Sequence, residues 1–302
     1  MKKPALVLLV LVLVVAGIGV AVWRARESSA RPGPAGAMPE TKSDAAARRT
    51  LPVRPRPKLP PAGSLSAAEK ATLVDQIKRD YDEIRAKAAA DYAAAGTAFP
   101  GGLSAFLRQL ALLEREKRAD FATVLSPREL EDLELRESTA GQLVQRFLGD
   151  TVASEELRRA VFRLQRNFDD KFALTFDVSP PILFQRESER QATQRAISQA
   201  LGNEELFGAW LRGEGSDYTT FRGFVAQQGL PVNAAIELWA AKNDFTLRRL
   251  ELAAQPQLSA DQIRSAQAAL VQESLSRVLG ILGPAGLQAA GPDVLGWLPR
   301  GK

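Results

Sequence analysis

An unbroken apolar run near the N-terminus constrains this chain more than any other feature. Residues 5–23 carry no charge and are almost all Leu, Val, Ala, Gly or Ile, and Lys2 and Lys3 precede them. A helix that rises 1.5 Å per residue needs about 20 apolar residues to cross about 30 Å of hydrocarbon. The sequence therefore predicts a signal-anchor transmembrane helix over residues 1–23. The residues assigned to the anchor include Ala5, Leu13, Ile18 and Trp23, the last at the depth where indole rings are common.

A cleaved secretion signal is the alternative interpretation of the same segment. Signal peptides have apolar regions of about 7–15 residues that end at a small-x-small site, and the best candidate here is Gly19-Val20-Ala21. The run is longer than that, which favours an uncleaved anchor. Both interpretations place the C-terminal part on the far side of a bacterial inner membrane. We therefore expect a single-pass inner-membrane protein with its C-terminal domain in the periplasm.

The segment that follows, residues 24–63, predicts a disordered basic linker rich in Pro and Ala. It holds eight prolines and nine Lys or Arg against three acidic residues, with almost no large apolar side chains. Such a segment buries too little surface to offset its ordering entropy. A spacer is the simplest role for it. The alternative is a weak contact of this basic ribbon with anionic lipid head groups or cell wall.

Composition excludes several classes of function. The chain has no cysteine and no histidine, which removes thiol catalysis, disulfides, thiolate metal sites, the commonest general base and the commonest transition-metal ligand. The net charge of +5 resides outside the C-terminal part, because the linker alone carries +6 and residues 64–302 carry −3. This balance gives no support for nucleic-acid binding. The sequence predicts no cofactor, no metal site, no catalytic residue and no enzymatic activity.

The C-terminal part has the apolar periodicity of helices. One apolar stripe at steps of three and four predicts a helix of about 28 residues, formed by Val74, Ile77, Tyr81, Ile84 and Ala88. Residues 96–102 break this helix, and a second helix follows with an apolar face of Phe106, Leu110 and Leu113. The one short alternating run, residues 172–178, ends at Pro180 and has no partner strand. The predicted fold class is all-α.

Three helix starts share one capping signature. Ser66, Ser126 and Ser259 each follow a leucine and precede Glu or Gln by three residues, which is the pattern of a capping box. These serines are predicted N-caps.

An internal duplication is also predicted. Phe147, Phe162 and Phe168 recur as Phe224, Trp239 and Phe245, each 77 residues later. Leu282 and Leu287 would begin a truncated third copy. This period suits two related helical modules packed in series into an elongated domain, over residues 64–178 and 179–302. The alternative is a chance match between amphipathic helices.

The remaining candidate sites favour a structural interpretation. Five aromatic residues at helical spacing are predicted as core, namely Trp210, Trp239, Trp297, Phe162 and Phe168. The carboxylates that could hold a hard cation lie on helices among arginines: Glu129, Glu131, Asp132, Glu134, Asp169 and Asp170. The Glu-Ser pairs at Glu137, Glu187 and Glu273 resemble the acid of lytic transglycosylases, but the Gly-Leu-Met-Gln element of those enzymes is missing. A solvated helix surface is the simpler interpretation of these pairs.

Further resemblances concern the envelope. The Leu-Ser-x-x-Glu/Gln openings resemble the Leu-Thr-x-x-Gln motif of small periplasmic helical chaperones, which implies binding of unfolded protein. The plan of anchor, linker and helical body resembles lipase-specific foldases, although Gln165 and Asp170 stand where their signature has Arg and Tyr. Residues 120–300 resemble uncharacterised single-pass, all-helical bacterial envelope proteins, which brings no known activity.

These observations lead to one main hypothesis and two alternatives. The chain is predicted to bind another envelope protein through helical grooves without catalysis. The first alternative is a chaperone or foldase for exported proteins. The second is a carboxylate-dependent hydrolase of cell-wall glycan that would use Glu137, Glu187 or Glu273.

Overall fold

A computed structural model describes residues 65–299, and this part of the chain is all-α, as predicted. The predicted anchor and linker, residues 1–63, lie outside the described residues. Among residues 65–299 no helix combines the length and the apolar character needed to cross a membrane. The helices are α1 (Ala67–Ala95), α2 (Gly102–Val124), α3 (Pro127–Glu137), α4 (Thr139–Leu148), α5 (Glu155–Phe172), α6 (Pro180–Leu201), α7 (Glu204–Leu211), α8 (Ser216–Gln227), α9 (Asn233–Ala253), α10 (Ala260–Ala289) and α11 (Pro292–Leu295).

The first two helices pack against each other as a hairpin. A short 3₁₀ helix, Gly96–Ala98, connects them where the sequence predicts a break. The predicted stripe forms the buried face of α1, with Val74, Ile77, Tyr81 and Ala88 buried. Near the turn, the ring of Tyr92 stacks on that of Phe106 with centroids 4.4 Å apart. The hairpin therefore forms from local apolar periodicity and an aromatic contact at its closed end.

The three serines predicted as caps each lie at the N-cap of a helix. Oγ of Ser66, Ser126 and Ser259 accepts the N–H three residues ahead at 3.2 to 3.4 Å, and that residue's side chain accepts the serine N–H at 2.8 Å. Two otherwise unpaired N–H groups are satisfied at each start. These bonds fix where α1, α3 and α10 begin.

Helix starts recur at a nearly constant spacing. Helices α3, α4 and α5 begin at Pro127, Thr139 and Glu155, and α7, α8 and α9 begin 77, 77 and 78 residues later. The longer helices before each set, α2 and α6, begin 78 residues apart. Packing follows the same order, since α4 contacts α5 as α8 contacts α9, and α5 contacts α6 as α9 contacts α10.

A large apolar core joins the helices on both sides of residue 178. Val144, Val161 and Phe162 from α4 and α5 share it with Trp210 and Leu238 from α7 and α9. Residues 173–179 connect α5 to α6, and no strand forms within residues 65–299. This core draws side chains from both predicted modules, residues 64–178 and 179–302. Their boundary at 178/179 stays a prediction.

Helix α10 is kinked near its C-terminal end. Gly283 has a φ of +68°, a conformation that side chains with a Cβ rarely adopt, and Pro284 follows it. The regular helix therefore stops at Leu282, the position at which the sequence predicts a new repeat to begin. Beyond the kink, α11 packs on α8, and the ring of Trp297 lies 5.4 Å from that of Phe245 on α9.

Candidate functional site

The three glutamates of the Glu-Ser pairs lie apart from one another, each in an ion pair. Glu137 pairs with Lys78 at 2.5 Å, Glu187 with Arg190 at 2.7 Å and Glu273 with Arg248 at 2.5 Å. The hydrogen bond from Arg248 lowers the pKa of Glu273, whereas a general acid needs a raised pKa. Glu187 differs from the predicted solvated surface, because its side chain is only 14 % exposed.

The acidic residues of α3 are held in ion pairs with neighbouring helices rather than facing one another. Glu129 binds the ammonium of Lys70 on α1 at 2.9 Å, and Glu134 binds Arg118 on α2 at 2.6 Å. Arg118 also binds Asp170 on α5 at 2.5 Å. Within the described residues, no group of three or more acidic side chains is arranged to hold a metal ion.

A buried arginine ties α3 to α5. Arg159 is 5 % exposed, and its guanidinium contacts Glu155 at 2.6 Å and Asp132 at 2.5 Å, with Glu131 at 3.5 Å. The hydrogen bonds that Arg159 donates to Glu155 and Asp132 raise its pKa. Arg159 therefore lies in the interior and not on a solvated helix surface. Its three partners come from two helices, so a buried guanidinium is stabilised without a metal or ligand.

A second polar network, whose charged side chains are half-buried, lies in the C-terminal half. Arg190 on α6 contacts Glu187 at 2.7 Å, Glu214 at 3.4 Å and Oδ1 of Asn243 on α9 at 2.7 Å. Burial raises the pKa of Glu214 despite the nearby charge of Arg190. Gln194 bonds to this carboxylate and accepts the indole N–H of Trp210 at 3.0 Å. The network therefore connects α6, the turn before α8, α7 and α9.

A groove opens beside this network between α6, α9 and α10, and we call it the α6–α9 groove. Its volume is about 270 Å³, and its lining includes Phe207 of α7, which makes an edge-on contact with Trp239. Its walls include Gln191, Arg195, Ser198, Trp239, Asn243 and Arg277. Protein binding sites combine aromatic surface with placed polar groups, and this groove contains both kinds of side chain.

The charges of the α6–α9 groove are unevenly compensated. Arg277 of α10 contacts Asp244 of α9 at 3.4 Å. Arg195 is exposed, and no carboxylate among residues 65–299 lies within ion-pair distance of it. The groove therefore presents one uncompensated positive charge beside an aromatic surface.

The predicted core aromatics divide between the interior and the groove. Phe162, Trp210 and Trp239 are buried, with Phe168 and Trp297 half-buried. Trp239 also lines the α6–α9 groove, which sequence periodicity did not indicate. The groove was missed because its walls come from residues that are tens of positions apart, and no local spacing marks such a set.

Comparison of the chain with protein-family models, curated proteins and solved structures found no match. The resemblances to helical chaperones, foldases and envelope proteins therefore stay predictions from short motifs and from chain organisation.

Proposed function

We propose that this chain is a membrane-anchored, non-catalytic binding protein of the bacterial envelope. Residues 5–23 would anchor it in the inner membrane, and residues 24–63 would serve as the linker to a periplasmic helical body. The body would recognise another envelope protein. The single observation that carries the binding role is the α6–α9 groove, with Trp239 at its wall and an uncompensated Arg195 beside it.

The architecture supports this proposal. Helix starts that recur every 77 or 78 residues favour two related modules, with a truncated third after the kink at Gly283. Serial helical modules form elongated surfaces and grooves that take up segments of partner proteins. Ion pairing of Glu137, Glu187 and Glu273 leaves these carboxylates engaged, which favours binding over hydrolysis.

A chaperone for exported proteins is the second proposal. A general chaperone needs accessible apolar surface for unfolded clients. Large apolar residues that are well exposed within residues 65–299 are scattered, namely Val152, Val178, Val232 and Leu279. This distribution favours a selective groove over general capture. Suppression of aggregation of an unrelated unfolded protein at near-equal molar ratio would favour the chaperone instead.

Site-specific photocrosslinking in native membranes tests the proposal. A photoreactive residue replaces Ser198 in the α6–α9 groove, and the matched control replaces Gln145, an exposed residue of α4. We expect one discrete crosslinked protein from position 198 and none from position 145. Equal products from both positions, or no product from position 198, would contradict a groove-binding role. Fractionation of the same cells tests the anchor, since the uncleaved chain should sediment with membranes.

A further inference from the structure

Arg118 and Arg195 occupy the same place in α2 and α6. The two residues are 77 apart, and each lies six residues before the last residue of its helix, Val124 or Leu201. A turn joins each of these helices to the next one, α3 beginning at Pro127 and α7 beginning at Glu204. The two arginines are therefore at corresponding positions of their helices.

The two arginines differ in what compensates their charge. Arg118 binds Glu134 of α3 at 2.6 Å and Asp170 of α5 at 2.5 Å. The positions 77 residues after Glu134 and Asp170 are Leu211 and Leu247. Neither corresponding position therefore carries a carboxylate. The C-terminal half keeps the cation and lacks the two carboxylates that neutralise it in the N-terminal half.

The side chain next to each arginine also differs between the two halves, and the C-terminal half has the smaller one. Phe121 is buried in α2, and Ser198 takes the corresponding position in α6, where it lines the α6–α9 groove. A serine is far smaller than a phenylalanine, so this exchange leaves room next to Arg195. Nearby carboxylates are already engaged, since Asp244 contacts Arg277 and Glu214 contacts Arg190.

We infer that the α6–α9 groove binds an acidic segment of a partner protein, whose Asp or Glu carboxylate pairs with Arg195 while an adjacent apolar side chain lies on Trp239. This inference deepens the proposed binding function and rests on it. The incoming carboxylate takes the place that Glu134 and Asp170 hold beside Arg118. A planar guanidinium binds a carboxylate through two parallel hydrogen bonds, which gives the contact a fixed orientation.

The test repeats the crosslink from position 198 in full-length chains that carry a second change. Arg195→Gln removes the groove cation, and Arg249→Gln removes an exposed charge of α9 that lies outside the groove lining. We expect the crosslinked protein to fall by about tenfold or more with Arg195→Gln and to persist with Arg249→Gln. Arg195→Lys should give an intermediate amount, because it keeps the charge and loses the two parallel hydrogen bonds. Mass spectrometry should place the crosslink in a segment that contains Asp or Glu beside a large apolar residue. Thermal unfolding of each variant shows that it is folded.

Reversal of the charges gives a second measurement. Arg195→Glu should abolish the crosslink, and Lys at the partner's identified carboxylate should restore it. A crosslink that survives Arg195→Gln, a crosslinked segment without a carboxylate, or a crosslink to lipid would overturn the inference and leave the chain a binding protein. Absence of any product from position 198 in the unaltered chain would overturn the proposed function as well.

Discussion

The indole N–H of Trp210 donates to Oε1 of Gln194 at 3.0 Å, and both side chains are almost completely buried. The bond joins α6 to α7 at the edge of the polar network that holds Glu214. The bond stabilises the fold because the buried indole N–H would lack an acceptor without Gln194.

Gln194→Leu should lower the free energy of unfolding by about 1–3 kcal/mol, because it leaves the indole N–H without an acceptor. Urea denaturation followed by circular dichroism measures the loss. Trp210→Phe removes the donor, so the double variant should lose about 1 kcal/mol less than the sum of the two single losses. Strictly additive losses would show that the hydrogen bond contributes nothing.

Replacement of two helical glycines by alanine should change the stability of the protein in opposite directions. A Cβ on Gly208 would lie 2.4 Å from the hydroxyl oxygen of Tyr218, a residue that is 2 % exposed, whereas a Cβ on Gly223 meets nothing within 4 Å. Gly208→Ala should therefore cost about 1–3 kcal/mol of stability through overpacking. Gly223→Ala should add about 0.5–1 kcal/mol through helix propensity. Thermal unfolding midpoints that move the same way in both variants would contradict the packing of α7 on α8.

Removal of the buried guanidinium should cost far more than removal of its exposed neighbour. Arg159→Met leaves Glu131, Asp132 and Glu155 without their shared counter-ion, with an expected loss of about 2 kcal/mol, since these partners retain some contact with water. Arg163→Met breaks one exposed pair with Glu131 at 2.9 Å and should change stability by less than about 0.5 kcal/mol. Chemical denaturation at pH 7 compares the two variants, and equal losses would rule out the buried cluster as a stabilising element.

Acidification should weaken the contact between α1 and α3. The ammonium of Lys70, followed by hydrogen bonds from Ser126, lowers the pKa of Glu129 from 4.5 to about 2. A carboxyl whose folded-state pKa is lowered contributes stability above its unfolded pKa, and this contribution is lost as the pH falls from 4.5 towards 2. Carboxyl NMR titration should show the low midpoint, and Lys70→Met should raise it. Lys87→Met removes the pair with Asp91 within α1 and should leave the titration of Glu129 unchanged.

Features that depend on local spacing were predictable from the sequence. The apolar stripe of α1, the break after Ala95 and the start of α10 after Ser259 each follow from residues within one or two turns of one another. A capping box involves four consecutive residues, and an amphipathic face repeats within a single helix. The sequence therefore predicted where several helices begin and which faces they bury.

Features that depend on contacts between distant residues were not predictable. An exposed arginine and a buried one have the same spacing on a helix, so the sequence could not tell Arg159 from Arg163. Likewise, Gln194, Glu214 and Asn243 meet only after three segments pack around Arg190. A comparison of positions 77 residues apart could have drawn attention to Arg195, because Glu134 and Asp170 correspond to Leu211 and Leu247.

The segment after the kink in α10 packs on two helices, α8 and α9. Val294 and Leu298 are buried, α11 lies on α8, and Trp297 meets Phe245 of α9. Detachment of the segment after the kink would expose both helices to water at the same time. The C-terminal end should therefore not unfold one residue at a time. Amide hydrogens of α8, α9 and α11 should instead exchange in a single cooperative opening.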